Sequence, residues 1–282
     1  MTIDGKAIAG RVMADLIPRA ERLAQAAGRK ACLAVVLVGD NPASRTYVRA
    51  KIKAAELVGI QGKELEFPAG VPQDELLAAV SALDADPSVD GILVQLPLPP
   101  QIDPDRVLDA ISPAKDVDGF HPANVSSLQL GRPCTIPCTP KGIIRLIDST
   151  GVSIEGKRAV VVGRSNIVGK PVAKLLLDRN ATVSIAHSHT RDLKSLTREA
   201  DILVVATGKR SLVDGSMVKP GAIVIDVGIT RTAEGTLGGD VDFASAKDVA
   251  AWITPVPGGV GPMTVAMLME NTLECFEARI NR

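Results

Sequence analysis

Aromatic residues are scarce in this 282-residue chain, at 2% of the sequence, with Tyr47 the sole tyrosine and Trp252 the sole tryptophan. Stacking platforms for nucleic-acid bases are therefore not available in number. The chain also carries no net charge, because 32 basic residues balance 32 acidic ones. A neutral protein offers no general field for a phosphate backbone or an anionic membrane, so we expect neither a nucleic-acid partner nor a membrane partner.

Cysteine is rare as well, with four residues in the whole chain. Four cysteines are too few for a disulfide scaffold at this length. Cys134 and Cys138 lack a second pair with zinc spacing, so we expect no metal site. The first twenty residues are too charged for a secretory signal, and no apolar run approaches the roughly 18 residues that span a bilayer. These features predict a cytoplasmic protein.

Short apolar runs alternate with longer amphipathic segments along the chain. The alternation is typical of parallel strands joined by crossover helices, and it predicts an α/β fold. The predicted strands are 32–38, 91–96, 159–162, 182–186, 202–206, 222–227 and 252–254. The predicted helices are 7–27, with Pro18 expected to kink or stop it, 42–58, 73–83, 141–148, 169–178, 193–200 and 263–279.

Two stretches rich in proline and glycine punctuate this pattern. The first, at 131–140, precedes a helix and a fresh strand, so it predicts a boundary between two lobes. The second, at 254–262, reads TPVPGGVGP, and we expect an ordered or functional loop that breaks every regular element.

A strand, a glycine turn and a helix follow one another at 159–171, which reads AVVVGRSNIVGKP. In this order the amides and dipole of a helix N-terminus hold a pyrophosphate, with glycine where the backbone approaches the ligand. The spacing is GxSxxxG rather than GxGxxG, and an ordinary strand-to-helix turn has the same pattern. The motif therefore predicts, without proving, a dinucleotide site.

The residue that reads the ribose lies about 20 positions further on in dinucleotide domains. Here the chain has His187, Ser188 and His189, and no carboxylate to accept from a ribose 2′-hydroxyl. Ser188 can donate to a 2′-phosphate and Arg164 can pair with it, which favours NADP over NAD. For the two histidines, phosphate contact and exposure in a loop both stay open.

Other candidates fall in the first lobe. Ser44, Tyr47 and Lys51 share one face of the predicted helix 42–58, either as a catalytic pair beneath a planar ligand or as a solvated edge, and spacing alone favours the edge. Gln95 ends an apolar strand, where it can meet a ligand or satisfy local backbone groups. Asp118 lies in the loop KDVDGFHP, where a carboxylate can receive a donor-rich heterocycle or cap a turn.

Six strings in a fixed order cover nearly the whole chain: GDNPASRTYVRAKIKAAELVGI at 39–60, GILVQLPLP at 91–99, DVDGFHP at 116–122, PCTPKG at 137–142, VVGRSNIVGKP at 161–171 and TPVPGGVGPMTVAML at 254–268. Together they resemble the bifunctional methylenetetrahydrofolate dehydrogenase/methenyltetrahydrofolate cyclohydrolase family. The resemblance implies oxidation of 5,10-methylenetetrahydrofolate with NADP, then hydrolysis of the methenyl form to 10-formyltetrahydrofolate. The substrates would be one-carbon derivatives of tetrahydrofolate.

The resemblance also implies a role for each candidate residue. Tyr47 would stack on the aminobenzoyl ring, Lys51 would act at the bridging carbon with Gln95 holding it, and Asp118 would bind the pterin. Gly163 would give backbone access to the cofactor and Ile229 would lie by the nicotinamide. The residues that would hold the NADP phosphates are Arg164, Ser165 and Ser188. His189 stands where the family usually has a basic residue, Ala186 where a cysteine is common and Ser126 where glycine is common.

The implied architecture has two α/β lobes flanking a cleft. Residues 1–139 would form the folate-binding catalytic domain, to which a helix at 263–282 returns, and 140–262 would form a Rossmann-type NADP domain. A homodimer through the nucleotide lobes is expected, since a sheet edge near 222–229 would otherwise need cover.

Two other functions remain possible on the sequence alone. One is another NADP-linked two-lobed dehydrogenase that acts on a small acid, which would make the first-lobe strings a coincidence. The other is a nucleotide sensor that has lost catalysis, against which the retained Tyr47, Lys51, Gln95 and Asp118 argue.

Overall fold

The structure is a computed structural model that describes residues 1–231 and 235–281. The chain divides into two units, each made of two pieces of sequence. The three-stranded unit comprises Arg11–Cys138 and Val265–Arg282, and the five-stranded unit comprises Met1–Gly10 and Thr139–Thr264. Arg282, the end of the predicted returning segment, lies outside the described residues.

The three-stranded unit has a parallel sheet of order β2-β1-β3. Its strands are β1 (Cys32–Val38), β2 (Gln61–Phe67) and β3 (Gly91–Val94). Its helices are α1 (Gly5–Ala27, whose first residues belong to the other unit), α2 (Pro42–Val58), α3 (Gln73–Ala85), α4 (Pro104–Asp109) and α5 (Pro122–Gln129). β1 is buried along its whole length because it lies between the other two strands. One core cluster joins this sheet to α3 and α4 through Val36, Val80, Ile92 and Val107.

Helix α2 begins and ends at residues suited to those positions. Asn41 caps its start, accepting from the amides of Ala43 at 2.9 Å and Ser44 at 3.3 Å. Pro42 occupies the first turn, where a missing N–H costs nothing. Gly59 follows the helix at φ 88°, a left-handed conformation that glycine adopts without strain. The caps fix the register in which α2 presents its side chains.

The five-stranded unit has a fully parallel sheet of order β10-β7-β6-β4-β5. Its strands are β4 (Arg158–Val162), β5 (Thr182–Ala186), β6 (Ile202–Val205), β7 (Ile223–Asp226) and β10 (Trp252–Ile253), with β8 (Thr230–Arg231) and β9 (Leu237–Gly238) forming a separate antiparallel pair. The helices are α6 (Cys138–Asp148), α7 (Gly169–Asp178), α8 (Leu193–Thr197), α9 (Phe243–Ala246) and α10 (Val260–Ile280), whose later residues belong to the three-stranded unit. This is the predicted Rossmann-type sheet, and its chain order reverses between β4 and β6, where such sheets bind ligands.

Several predicted boundaries are corrected. Helix α1 continues through Pro18, and α10 begins at Val260, so the stretch 254–262 does not break every regular element. β3 ends at Val94, two residues earlier than the predicted end at residue 96. The segment 222–229 is not a sheet edge, because β7 lies between β6 and β10. Within the described part of the five-stranded sheet the open edge is β5, since Ile3 donates to the Ile253 carbonyl at 2.8 Å beside β10.

Sequence reasoning missed β2, α4, α5, α9 and the β8–β9 pair. β2 reads QGKELEF and has no buried residue, because it is an edge strand, so it lacks an apolar run. None of the helices in the described part of the chain has the length and apolar character needed to cross a membrane.

Candidate functional site

Two candidate sites are present, one in each unit, and the first is built on α2 and the end of β3. Tyr47 is 47% exposed on α2, and Lys51, one turn further on, is half-buried. Lys51 Nζ donates to Gln95 Oε1 at 2.9 Å. Gln95 Nε2 in turn donates to the Leu96 carbonyl at 2.6 Å. The amide of Gln95 is thus oriented by the backbone, and it holds the ammonium group in one place.

The loop that follows α4 supplies two carboxylates with different surroundings. Asp116 is buried, and it accepts from the amides of Gly119 at 2.9 Å and His121 at 2.8 Å and from Asn124 Nδ2 at 2.9 Å. Asp116 therefore caps the turn, one of the two roles that the sequence left open for this loop. Within the described part of the chain Asp118 has no such set of backbone donors, so it is the carboxylate available to a ligand.

The environment of Asp118 raises its pKa to about 6, chiefly through burial, while the positive charge of Lys51 and a hydrogen bond from Cys138 act in the opposite direction. A raised carboxyl pKa stabilises the fold while the group is protonated, and that contribution is lost as the pH rises through about 6. At neutral pH the group is mainly a carboxylate that accepts hydrogen bonds. The electrostatic effect of Lys51 links α2 to this loop.

The second candidate site lies at the carboxyl ends of β4 and β6. Gly163 leaves β4 at φ 127°, and a Cβ there would lie 2.1 Å from the carbonyl oxygen of Ala206. Gly169 begins α7, where a Cβ would lie 2.2 Å from the carbonyl oxygen of Gly163. Both glycines are required by backbone contacts. Together they bring the start of α7 against the strand ends, which forms the cradle that a pyrophosphate needs.

The polar residues near this turn differ in what they contact: Ser165 caps α7, whereas Arg164 and Ser188 are exposed to solvent. Ser165 Oγ accepts from the amides of Val168 and Gly169, each at 3.2 Å, so its oxygen caps α7 and its hydrogen is left for donation. Arg164 and Ser188 are both exposed, after β4 and β5 respectively. These donors, with no acidic residue beside Ser188, fit a phosphorylated ribose.

The two histidines after β5 contact each other. His187 Nδ1 accepts from the His189 amide at 3.2 Å, and the two rings meet edge-on with their centroids 5.9 Å apart. The His187 amide donates to Thr190 Oγ1 at 2.8 Å. The loop is therefore held by its own side chains, and phosphate contact by either histidine stays a prediction.

Matches to two family models now bear on these sites. Residues 3–118 match the catalytic domain of tetrahydrofolate dehydrogenase/cyclohydrolase, and residues 137–280 match the NAD(P)-binding domain of the same family. The chain belongs to the tetrahydrofolate dehydrogenase/cyclohydrolase family. It is an enzyme of this bifunctional class, with a nicotinamide cofactor.

Individual relatives agree with the family models. The bifunctional protein FolD of Sorangium cellulosum is 57% identical over 279 residues, covering 99% of this chain and 97% of the relative. The crystal structure of the bifunctional FolD of Campylobacter jejuni has a TM-score of 0.96 and 48% identity, with 99% of each chain covered. The Trypanosoma brucei enzyme, crystallised with an NADP cofactor and an inhibitor, has a TM-score of 0.95 and 42% identity, covering 100% of this chain and 99% of that one.

A small-acid dehydrogenase, one of the alternatives from the sequence, is not favoured. The shikimate 5-dehydrogenase of Thermus thermophilus has a TM-score of 0.52 at 15% identity, covering 89% of this chain and 100% of that one. At this identity the likeness is one of fold alone.

Sequence reasoning missed two buried carboxylates of the NAD(P)-binding domain. Asp226 ends β7 and accepts from the amides of Gly228 at 3.0 Å and Asp240 at 2.9 Å. Burial raises its pKa to about 6, against the effect of these donors. Asp240 accepts from the amides of Thr207 at 2.5 Å and Gly208 at 2.9 Å, at the end of β6. The available signal was an acidic residue at the end of an apolar strand, and the predicted strand 222–227 contains one, Asp226.

Ile229 follows this network and is 48% exposed. The Cβ of an alanine at Gly261 would lie 3.8 Å from its Cδ1, an ordinary contact. The residue is therefore an apolar surface at the carboxyl side of β7. Its position by a nicotinamide stays a prediction.

Proposed function

We propose that this family member oxidises 5,10-methylenetetrahydrofolate to 5,10-methenyltetrahydrofolate with NADP⁺ and hydrolyses the methenyl form to 10-formyltetrahydrofolate. The observation that carries the proposal is the hydrogen bond of 2.9 Å from Lys51 to Gln95, with Asp118 electrostatically linked to the same lysine. An acid/base group and a pterin-binding carboxylate are the two parts that hydrolysis of a folate cation needs in its protein.

The oxidation step needs positioning more than a protein base. The reacting carbon of the substrate sits between two nitrogens, whose lone pairs stabilise the cation that remains when hydride leaves. NADP⁺, when bound, supplies the hydride acceptor. Tyr47 is the one exposed aromatic ring on this face of α2, and it would stack on the aminobenzoyl ring to hold the substrate in line.

The hydrolytic step needs a group that handles water and a proton. Lys51 has one of its ammonium hydrogens directed to Gln95, so the remaining ones can face the bridging carbon and a water molecule. Gln95 fixes the lysine and thereby the direction of proton transfer. Asp118 would accept from the N–H donors of the pterin, which keeps the ring in register with Lys51.

For the cofactor, we propose that the positive end of the α7 dipole faces the pyrophosphate, that Gly163 allows its close approach and that Ser165 donates to it. Arg164 and Ser188 would hold the 2′-phosphate, and Ile229 would lie by the nicotinamide. The NADP cofactor in the Trypanosoma brucei structure supports this choice.

Replacing Arg164 by alanine is expected to impair the use of NADP⁺ selectively. A hydrogen bond to a charged group contributes about 1.5 to 3 kcal/mol, or roughly 10- to 150-fold in kcat/KM for NADP⁺. Kinetics with NADP⁺ and NAD⁺ test this, and Arg158→Ala is the matched control, because Arg158 pairs with Glu199 at 2.7 Å at the other end of β4. Equal losses with both cofactors would show that Arg164 does not read the 2′-phosphate.

The domain roles follow from this assignment. We propose residues 1–139, with 263–282, as the folate-binding catalytic domain and 140–262 as the NADP-binding domain. We also propose a homodimer, because β5 is an open edge on which Ile185 is 42% exposed, and unpaired strand edges are commonly covered in assemblies. Sedimentation that shows only monomers at micromolar concentration would contradict it.

A cytoplasmic location is proposed from the low cysteine content.

One assay tests the proposed function as a whole. The protein is mixed with 5,10-methylenetetrahydrofolate and NADP⁺, and absorbance is followed for NADPH and for the methenyl form. We expect NADPH to accumulate while the methenyl signal stays small, because hydrolysis removes it. If NADPH forms and the methenyl signal persists, the protein lacks the proposed cyclohydrolase activity. If no NADPH forms, the proposed oxidation is wrong and the alternative of a nucleotide sensor is favoured.

A further inference from the structure

Asn271 is a buried polar residue of α10 that neither candidate site includes. Its side chain is 0% exposed. Nδ2 donates to the carbonyl oxygens of Val117 at 2.8 Å and Ile136 at 2.9 Å, and it lies 3.4 Å from Cys138 Sγ. Both amide hydrogens are therefore directed at segments more than 130 residues away in the chain.

The two segments that Asn271 joins surround Asp118. Val117 is its neighbour in sequence, and the single thiol hydrogen of Cys138 is shared between the Val117 carbonyl, at 3.3 Å, and Asp118. On the other side, a Cβ at Gly119 would lie 2.8 Å from the backbone nitrogen of Pro137. The backbone on each side of Asp118 thus packs against the segment 135–138, and Asn271 donates to both partners of that contact.

We propose that Asn271 is a positioning residue for folate binding: it fixes the Val117 and Ile136 carbonyl groups and so holds the Asp118 carboxylate where the pterin meets it. This inference rests on the proposed function, in which Asp118 binds the pterin. A carboxylate that must match the donors of a planar ring tolerates little displacement, because misplacement of about 1 Å can cost 10²-fold in rate.

The next residue on α10 shows what a purely structural role looks like. Thr272 is also 0% exposed, but its hydroxyl donates to the Leu268 carbonyl of its own helix at 2.8 Å. This bond lies within α10 and does not involve the Asp118 loop. Thr272→Val, which keeps the shape and removes this bond, is the matched control.

The experiment compares Asn271→Leu with Thr272→Val in the full-length protein. We expect Asn271→Leu to raise the KM for 5,10-methylenetetrahydrofolate and for the methenyl substrate about tenfold each, the effect of roughly one lost hydrogen bond, with the KM for NADP⁺ unchanged. Thr272→Val should lower the unfolding temperature and leave every KM unchanged. Asn271→Ser, a smaller change at the same position, is measured beside the leucine variant in case the latter does not fold.

Asp118→Asn separates this inference from the proposed function. If Asp118→Asn raises the folate KM and the folded Asn271 variants do not, Asn271 has no positioning role. If Asp118→Asn leaves the folate KM unchanged, the proposed pterin contact is wrong and the inference is overturned with it. A positioning role predicts further that the double variant Asp118→Asn/Asn271→Leu loses less than the two single effects added together.

Discussion

Replacing Lys51 by methionine should lower the cyclohydrolase rate by about 10² to 10⁴, the effect of losing a positioned acid or base. The dehydrogenase rate should fall less, because the nitrogens of the substrate drive hydride departure. Methionine keeps the length and helix propensity of the lysine stem and removes the amine. The methenyl form should therefore accumulate during turnover with NADP⁺, and its absorbance measures the effect.

Lys53→Met is the control for this substitution. Lys53 lies two residues further along α2 and is exposed, so the same chemical change there should leave both rates near normal. If Lys51→Met also leaves both rates near normal, Lys51 has no part in the mechanism. If it lowers both rates equally in folded protein, Lys51 orients the folate and is not specific to the hydrolytic step.

The local parts of the candidate site on α2 could be predicted from the sequence. The cap at Asn41, the first-turn Pro42 and the spacing of Tyr47 and Lys51 together define a helix and one of its faces, because helix geometry depends on short-range sequence. The ammonium group of Lys51 bonds Gln95 in the structure, and its role as a catalytic group rather than a solvated helix edge stays a prediction.

The long-range parts could not be predicted from residue patterns. Lys51 and Gln95 are 44 positions apart, and Asn271 is 154 positions from Val117, so these pairs depend on how strands and helices pack. The spacing of residues in the sequence does not predict contacts over such distances. Only the resemblance to the family pointed to the contact between Lys51 and Gln95. β2 was missed for a related reason, since its partner β1, rather than its own polar composition, makes it a strand.

Gly163 in the nucleotide turn is a second position at which we expect a substitution to remove one activity without the other. At Gly163, two constraints coincide: φ is 127°, which side chains rarely adopt, and a Cβ would lie 2.1 Å from the Ala206 carbonyl oxygen. Because the contact is with backbone, relief requires β4 or β6 to move at its carboxyl end. Those are the strand ends between which the proposed cofactor cradle lies. Lys51 and Asp118 belong to the other unit.

Gly163→Ala should therefore lower the NADP⁺-dependent dehydrogenase rate by about 10², as expected for misplacement of a bound group by roughly 1 Å, while the cyclohydrolase rate stays near normal. Gly156→Ala is the control, because φ there is 74° but a Cβ would have nothing within 4 Å, so it tests the cost of backbone strain without the contact. Hydrolysis of added methenyltetrahydrofolate and thermal unfolding are measured on both variants. Loss of both activities in folded Gly163→Ala would mean that hydrolysis also depends on the nucleotide turn. A normal dehydrogenase rate would mean that this turn does not bind the cofactor.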